Sequence, residues 1–174
     1  MTVSSPFASI TTKQQIHYLS EAKHTIKAHI ELAQAAYSRS FCIPSVNFNV
    51  KGKTAGKAYL YQNEIRLNLI LMHENFDAFC YEVIPHEVAH LITFSLYGKV
   101  KPHGKEWKTV MEGVFKIRAK TTHSFDIRSV QGTLFPYHCQ CTSHQLTIRR
   151  HNKVQRGETQ YLCRQCNATL QYTN

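Results

Sequence analysis

The chain has no run of about 18 consecutive apolar residues, the length a helix needs to cross a bilayer, so the sequence offers no membrane span. Residues Met1 to Lys13 lack a basic segment followed by an apolar one, so no secretory leader is expected and the cytoplasm is the expected compartment. Disulfides are rare there, which makes the six cysteines candidate metal ligands or core residues. No internal repeat is found. Acidic residues are scarce: 11 Asp and Glu stand against 21 Lys and Arg, for a net charge of +10. Such a surface favours polyanions, nucleic acid most often, although solvated basic faces that only keep a protein soluble have the same composition. What remains describes a folding chain. Hydrophobic residues make up 43%, and 174 residues suffice for one ordinary domain with a small appendage.

The most specific feature is His86-Glu87-Val88-Ala89-His90. On a helix, positions four apart share a face, so His86 and His90 can hold one metal ion. Glu87 lies about 100° further round and can lean over the ion without binding it. There it can take a proton from a metal-bound water, whose pKa zinc lowers from about 15.7 to about 7. The neighbours Phe79, Val83, Ile84, Val88, Leu91 and Ile92 make the helix apolar on nearly every face, as in a core helix. Burying two imidazoles and a carboxylate there costs several kcal/mol unless a metal compensates.

The elements around this motif are legible in part. Ile16, Leu19, Ala22, Ile26, Ile30, Leu32, Ala33 and Ala36 predict one amphipathic helix over 12–37, with His17, His24 and His29 on its polar face. Ser45–Val50 alternates as a strand, and Ala58–Tyr61 with Glu64–Leu69 predicts a hairpin around Gln62-Asn63. Tyr59, Tyr61 and Arg66 are candidates for lining a cleft. Asp77 is the expected N-cap of a helix over 78–97 that Gly98 ends, with Pro85 anomalous inside it. A further helix is expected from Lys105 to about Phe115. Cys42 and Cys80 sit in apolar surroundings and read as inert core residues.

A catalytic zinc needs a third protein ligand, and His103, Glu106, Glu112 and His123 are the downstream candidates. His123 is also a weak candidate for stabilising an oxyanion, with a structural role the plainer reading. Near the C-terminus, Cys139-Gln140-Cys141 and Cys163-Arg164-Gln165-Cys166 are paired knuckles flanking an expected basic hairpin, Leu146–Arg150 and Thr159–Leu162 around Lys153–Gly157. These are the ingredients of a zinc ribbon. About 44 residues bury too little to fold alone, so a metal would supply the free energy. His138, His144 and His151 are near enough in sequence to replace a cysteine.

His86-Glu87-Val88-Ala89-His90 followed by His103-Gly104-Lys105-Glu106-Trp107 resembles the SprT family of zinc metalloproteins, and so does the tail from Phe135-Pro136-Tyr137-His138-Cys139-Gln140-Cys141 to Tyr161-Leu162-Cys163-Arg164-Gln165-Cys166. The resemblance implies His103 as third ligand and Cys139, Cys141, Cys163 and Cys166 as ligands of a structural zinc. It implies an α+β fold: a zincin-like metalloprotease domain over 1–130, with the HExxH helix and a small β-hairpin sheet, then a zinc ribbon over 131–174. The implied activity is zinc-dependent proteolysis with Glu87 as the catalytic residue, one catalytic and one structural zinc, and a protein substrate. The family's eukaryotic relative Spartan is a DNA-dependent protease, so DNA is an expected partner. Lys99, Lys101, Lys105 and Lys108, with Arg149, Arg150, Lys153 and Arg156, are the expected phosphate contacts. The alternative is a zinc-stabilised nucleic-acid-binding protein with little or no protease activity.

Overall fold

Thr11 opens the first helix with a capping box: its hydroxyl accepts from the Gln14 amide at 3.2 Å, and the Gln14 side chain accepts from the Thr11 amide at 2.8 Å. The computed structural model describes residues 10–173. It is a mixed α and β molecule with two small sheets, and the chain divides after Val130 into two compact units.

Helix α1, Thr12–Tyr37, buries Tyr18, Ala22, Ile26, Ile30 and Ala33, a stripe at spacings of four and three. Ile16 and Leu32 face solvent instead of the core, because they stand off that stripe. His29 also departs from the polar-face expectation. Its ring meets Phe115 edge-on at 4.8 Å between centroids, and its Nδ1 lies 2.8 Å from the Thr25 carbonyl.

Strands β1 (Ser45–Asn47), β2 (Gly56–Tyr59) and β3 (Glu64–Leu67) form a sheet in the order β1-β3-β2. The hairpin β2–β3 pairs antiparallel with Ala58 opposite Ile65, while β1 runs parallel to β3 with Val46 opposite Ile65. Strand β1 is shorter than the alternation suggests, and Leu69 leaves the sheet to start helix α2, Leu69–Glu74. Buried Asn68 makes that switch. Its Oδ1 accepts from the Ile70 and Leu71 amides, and its Nδ2 donates to the carbonyls of Gly52 (2.7 Å) and Thr54 (3.1 Å). The loop feeding β2 is thereby pinned.

One turn, α3 (Phe76–Ala78), leads into a π-helical turn, Phe79–Val83, and then α4, Ile84–Tyr97. Asp77 lies inside the first turn, and the cap position falls to Asn75. Gly98, with φ 69°, ends α4. The wide π turn directly before Pro85 accommodates the proline, which has no N–H to donate and whose ring crowds an ordinary α turn. Helix α5, Lys105–Lys108, likewise continues as a π turn over Thr109–Val114. Val88, Ala89 and Ile92 of α4 share the core with Ile26 and Ile30 of α1, Ile65 and Leu67 of β3, and Trp107. Cys42 is exposed and is not a core residue, whereas Cys80 is half-buried and packs against the core.

In the second unit, β4 (Leu134–His138) pairs antiparallel with β5 (Ser143–Thr147) and with β6 (Gln171–Tyr172). The expected hairpin around Lys153–Gly157 is absent. Residues Ile148–Gln155 form helix α6, because His151 stacks on Phe135 at 3.8 Å and Val154 packs beside it. Among the described residues the buried core here is Tyr137, Leu146, Cys163 and Leu170.

Candidate metal centres

Two clusters of metal-donor side chains form among the described residues, one in each unit. In the first unit α4 supplies His86 and His90, and the loop before α5 supplies His103. His103 has a left-handed backbone, φ 57°, which is costly for a residue with a Cβ and fixes the direction of its side chain. Gly104 makes the bend possible, since a Cβ there would lie 3.0 Å from the Lys101 carbonyl oxygen. The Nε2 atoms of His86, His90 and His103 converge, separated pairwise by 3.1, 3.1 and 2.9 Å.

Their protonation suits a cation. Nδ1 of His86 lies 3.2 Å from the Lys120 carbonyl oxygen, which can only accept, so Nδ1 carries the proton and Nε2 turns a lone pair to the cluster. Desolvation, then the proximity of His103, pushes His86 down to about 4. Desolvation, then His86 and His103, takes His90 down to about 3. Desolvation lowers His103 as well, so the shifts on all three rings favour the neutral form. Three nitrogens on a tetrahedral zinc at about 2.0–2.1 Å would stand roughly 3.3 Å apart, so the observed triangle fits that ion.

Trp107 forms the floor. Its ring lies 4.7, 5.5 and 4.7 Å from those of His86, His90 and His103, and its Nε1 donates to the His86 carbonyl at 3.3 Å. Glu87 is 7% exposed, and burial pushes its carboxyl up to about 7 against an opposing hydrogen bond from the Ala58 backbone. The cleft above, about 610 Å³, is lined by residues 53–58 of β2 and its feeding loop, by the histidines and Glu87, and by residues 117, 118 and 120–123. Strand β2 has β3 on one side only and stands at the sheet edge.

In the second unit the Sγ atoms of Cys139, Cys141, Cys163 and Cys166 all lie within 4.8 Å of one another, with 3.4 Å between Cys139 and Cys141 and 3.6 Å between Cys141 and Cys163. A tetrahedral zinc with bonds of about 2.3 Å would place sulfurs roughly 3.8 Å apart. The first knuckle occupies the β4–β5 turn, and the second a turn closed by the Leu162–Thr169 bridge. Hydrogen bonds to Cys139, Cys166 and Cys163 push the Cys141 thiol up to about 12, as expected where thiols crowd one another with no cation between them. Of the three histidine rivals, His138 bonds Thr173 at 2.9 Å and His151 bonds the Tyr137 hydroxyl at 3.1 Å. His144 alone approaches the sulfurs, with Nε2 3.3 Å from Cys139 Sγ.

Two family models match in the same order. The SprT-like family covers residues 26–124, and the SprT-like zinc ribbon domain covers residues 133–174. The chain belongs to the SprT family. It is 59% identical over 153 residues to Protein SprT of Vibrio parahaemolyticus, covering 88% of this chain and 93% of that protein. It is 45% identical over 158 residues to Protein SprT of Actinobacillus succinogenes, covering 91% and 93%, and 48% identical over 147 residues to Protein SprT of Yersinia pestis, covering 84% and 86%. No solved structure matches. The four-cysteine cluster lies wholly inside the matched ribbon and supports zinc binding there.

Within this SprT-family chain, Glu106, Glu112 and His123 stay outside the histidine cluster. Glu112 accepts from the Ala119 amide at 3.1 Å. His123 lines the cleft, but both ring nitrogens are engaged, Nε2 with the Lys53 carbonyl at 3.1 Å and Nδ1 with the Phe125 amide at 3.4 Å. Tyr59, Tyr61 and Arg66 do not line the cleft. Arg66 covers the Tyr59 ring at 3.9 Å, and Tyr61 packs on Phe94 at 5.1 Å. Lys99, Lys101, Lys105 and Lys108 are exposed, as are Arg149, Arg150 and Arg156, while Lys153 is half-buried. Arg150 leans over Tyr161 and Arg156 pairs with Glu158. Trp107 as floor, Gly56 against Glu87 and Lys120 behind His86 are not legible in the sequence pattern. Only Trp107 left a signal, as the chain's one tryptophan, four residues after His103. No helix of the described residues is long and apolar enough to cross a membrane.

Proposed function

We propose that this SprT-family chain is a zinc-dependent metalloprotease of zincin-like design, cutting proteins held close to DNA. The observation that carries the reading is the convergence of three neutral Nε2 atoms within 3.1 Å beside the Glu87 carboxyl in one cleft. His86, His90 and His103 would hold the zinc, and three protein ligands is the number that leaves room for a water. When bound, the ion would acidify that water and polarise the carbonyl of the scissile bond. Glu87 accepts the proton on a carboxylate oxygen and passes it to the leaving amine nitrogen. Its burial raises its proton affinity enough to take the proton, and the leaving amine is basic enough to receive it. The outer edge of β2 would receive an extended peptide as an added strand, main chain to main chain, beside Glu87. The four cysteines would hold a second, structural zinc.

Lys99, Lys101, Lys105 and Lys108, on the loop and helix that deliver His103, would contact phosphates, as would Arg149, Arg150, Lys153 and Arg156 on and beside α6. The deciding experiment is Glu87→Gln, with cleavage of a DNA-bound protein followed with and without single-stranded DNA. The variant should retain two zinc ions and bind DNA while cleavage disappears. A wild type that binds zinc and DNA yet cleaves nothing would favour the nucleic-acid-binding alternative.

A further inference from the structure

Glu82, in the π turn that leads into α4, stands four residues before His86 and eight before His90, and all three line the cleft. Lys120 reaches two of them. Its Nζ lies 2.6 Å from Glu82 Oε1, and its carbonyl oxygen lies 3.2 Å from His86 Nδ1. Both residues line the cleft. The rest of this segment is anchored elsewhere, by the Ile117 amide on the Met111 carbonyl (2.9 Å) and the Ala119 amide on Glu112 (3.1 Å). Neither bond touches the helix that bears His86. Ile117 shares the core with α4, and the Glu82–Lys120 pair adds a polar tie that holds Lys120 itself beside His86, four residues from Glu82.

We infer that Glu82 and Lys120 are positioning residues for His86, their ion pair holding the Lys120 carbonyl on Nδ1 so that the Nε2 lone pair stays turned to the cluster. The pair is partly exposed, with side-chain exposures of 33% for Glu82 and 53% for Lys120, so its own contribution to stability is small. Its effect is directional. A ring whose Nδ1 loses its acceptor can rotate or move its proton to Nε2, where no metal can bind. The inference rests on the reading that the three histidines hold zinc.

Zinc affinity of the full-length protein tests it without any protease assay. Zinc would be titrated against competing chelators, and cobalt substitution would separate the histidine site from the four-sulfur site by its visible spectrum. Outer-shell partners of metal-bound histidines commonly carry a factor of about 10–100 in affinity. Lys120→Met and Glu82→Gln should each weaken the histidine site about tenfold or more and leave the cysteine site unchanged. The exchange Glu82→Lys with Lys120→Glu rebuilds the pair in reverse and should recover most of the loss. Nitrogen NMR of His86 should show the Nδ1–H tautomer in the wild type and the exchange, and a mixture in the single variants. Single variants within about twofold of wild type, no recovery in the exchange, or equal loss at both sites would each overturn the inference. A wild type that binds no metal at the histidines would overturn the underlying reading as well.

Discussion

A Cβ built on Gly56 would lie 3.0 Å from Cγ and 3.1 Å from Oε1 of Glu87. The edge strand and the buried carboxyl therefore touch at a point where only glycine fits without displacement. Gly56→Ala should push Glu87 aside at a cost of about 1–3 kcal/mol in packing. Cleavage should fall at least tenfold while both metals remain. Gly113→Ala, whose Cβ would meet nothing closer than 3.7 Å, serves as the control. Paired zinc counts and cleavage rates check the prediction.

Trp107 is 1% exposed and contacts all three histidine rings. Trp107→Ala should cost about 3–5 kcal/mol in urea unfolding of the first unit. Trp107→Phe should lose less stability, yet it lacks the Nε1–H that donates to the His86 carbonyl and should still bind zinc more weakly. Equal zinc affinity in Trp107→Phe and wild type would reduce the residue to ordinary core packing.

His29 gives a stability effect with a definite sign. Burial lowers its pKa below the usual 6.5, partly opposed by its bond to the Thr25 carbonyl. The unfolded chain then binds more protons just below pH 6.5, so stability is fully present above that value and declines as pH falls towards the folded pKa. His29→Phe keeps the ring against Phe115 and removes the titration. The difference in stability between wild type and His29→Phe, measured from about pH 7.5 to about pH 5, should shift in the variant's favour as pH falls. A flat difference refutes the assignment.

Chelation should act unequally on the two units. The ribbon buries only Tyr137, Leu146, Cys163 and Leu170, so structural zinc, typically about 10–16 kcal/mol in such modules, would decide its folding. Removing metal should collapse amide dispersion for residues 131–173 while α1 and α4 keep theirs. Cys139→Ala should reproduce that collapse. His144→Ala should not, if the neighbouring imidazole is a hydrogen-bond partner and no ligand.

The residues that could be read in sequence were those whose geometry is local. Helix α1, the hairpin β2–β3, the Gly98 stop and the four-residue spacing of His86 and His90 depend on neighbours within a turn or two. What sequence hid depends on distant partners. Strand β1 pairs parallel with β3 across the intervening β2, which no alternation pattern announces. Helix α6 exists because His151 finds Phe135, so a basic run that reads as a hairpin curls instead. The apolar setting of Cys42 misled because its neighbours Phe41 and Ile43 part ways, one buried and the other 59% exposed. Tyr59 and Tyr61, legible as strand aromatics, pack on Arg66 and Phe94 and leave the cleft to β2's backbone.

The π turn before Pro85 sets the clocking of the motif helix. A wide turn advances the chain by a smaller angle per residue than an ordinary one, so the helical pieces on either side are dialled to different neighbours. Proline works as the detent. With no amide hydrogen at position 85, the helix cannot slide the extra residue forward and rewind as plain α-helix. Deleting one of residues 79–81 would therefore leave Glu82 and the histidines at their four-residue spacing while α3 turned to different neighbours.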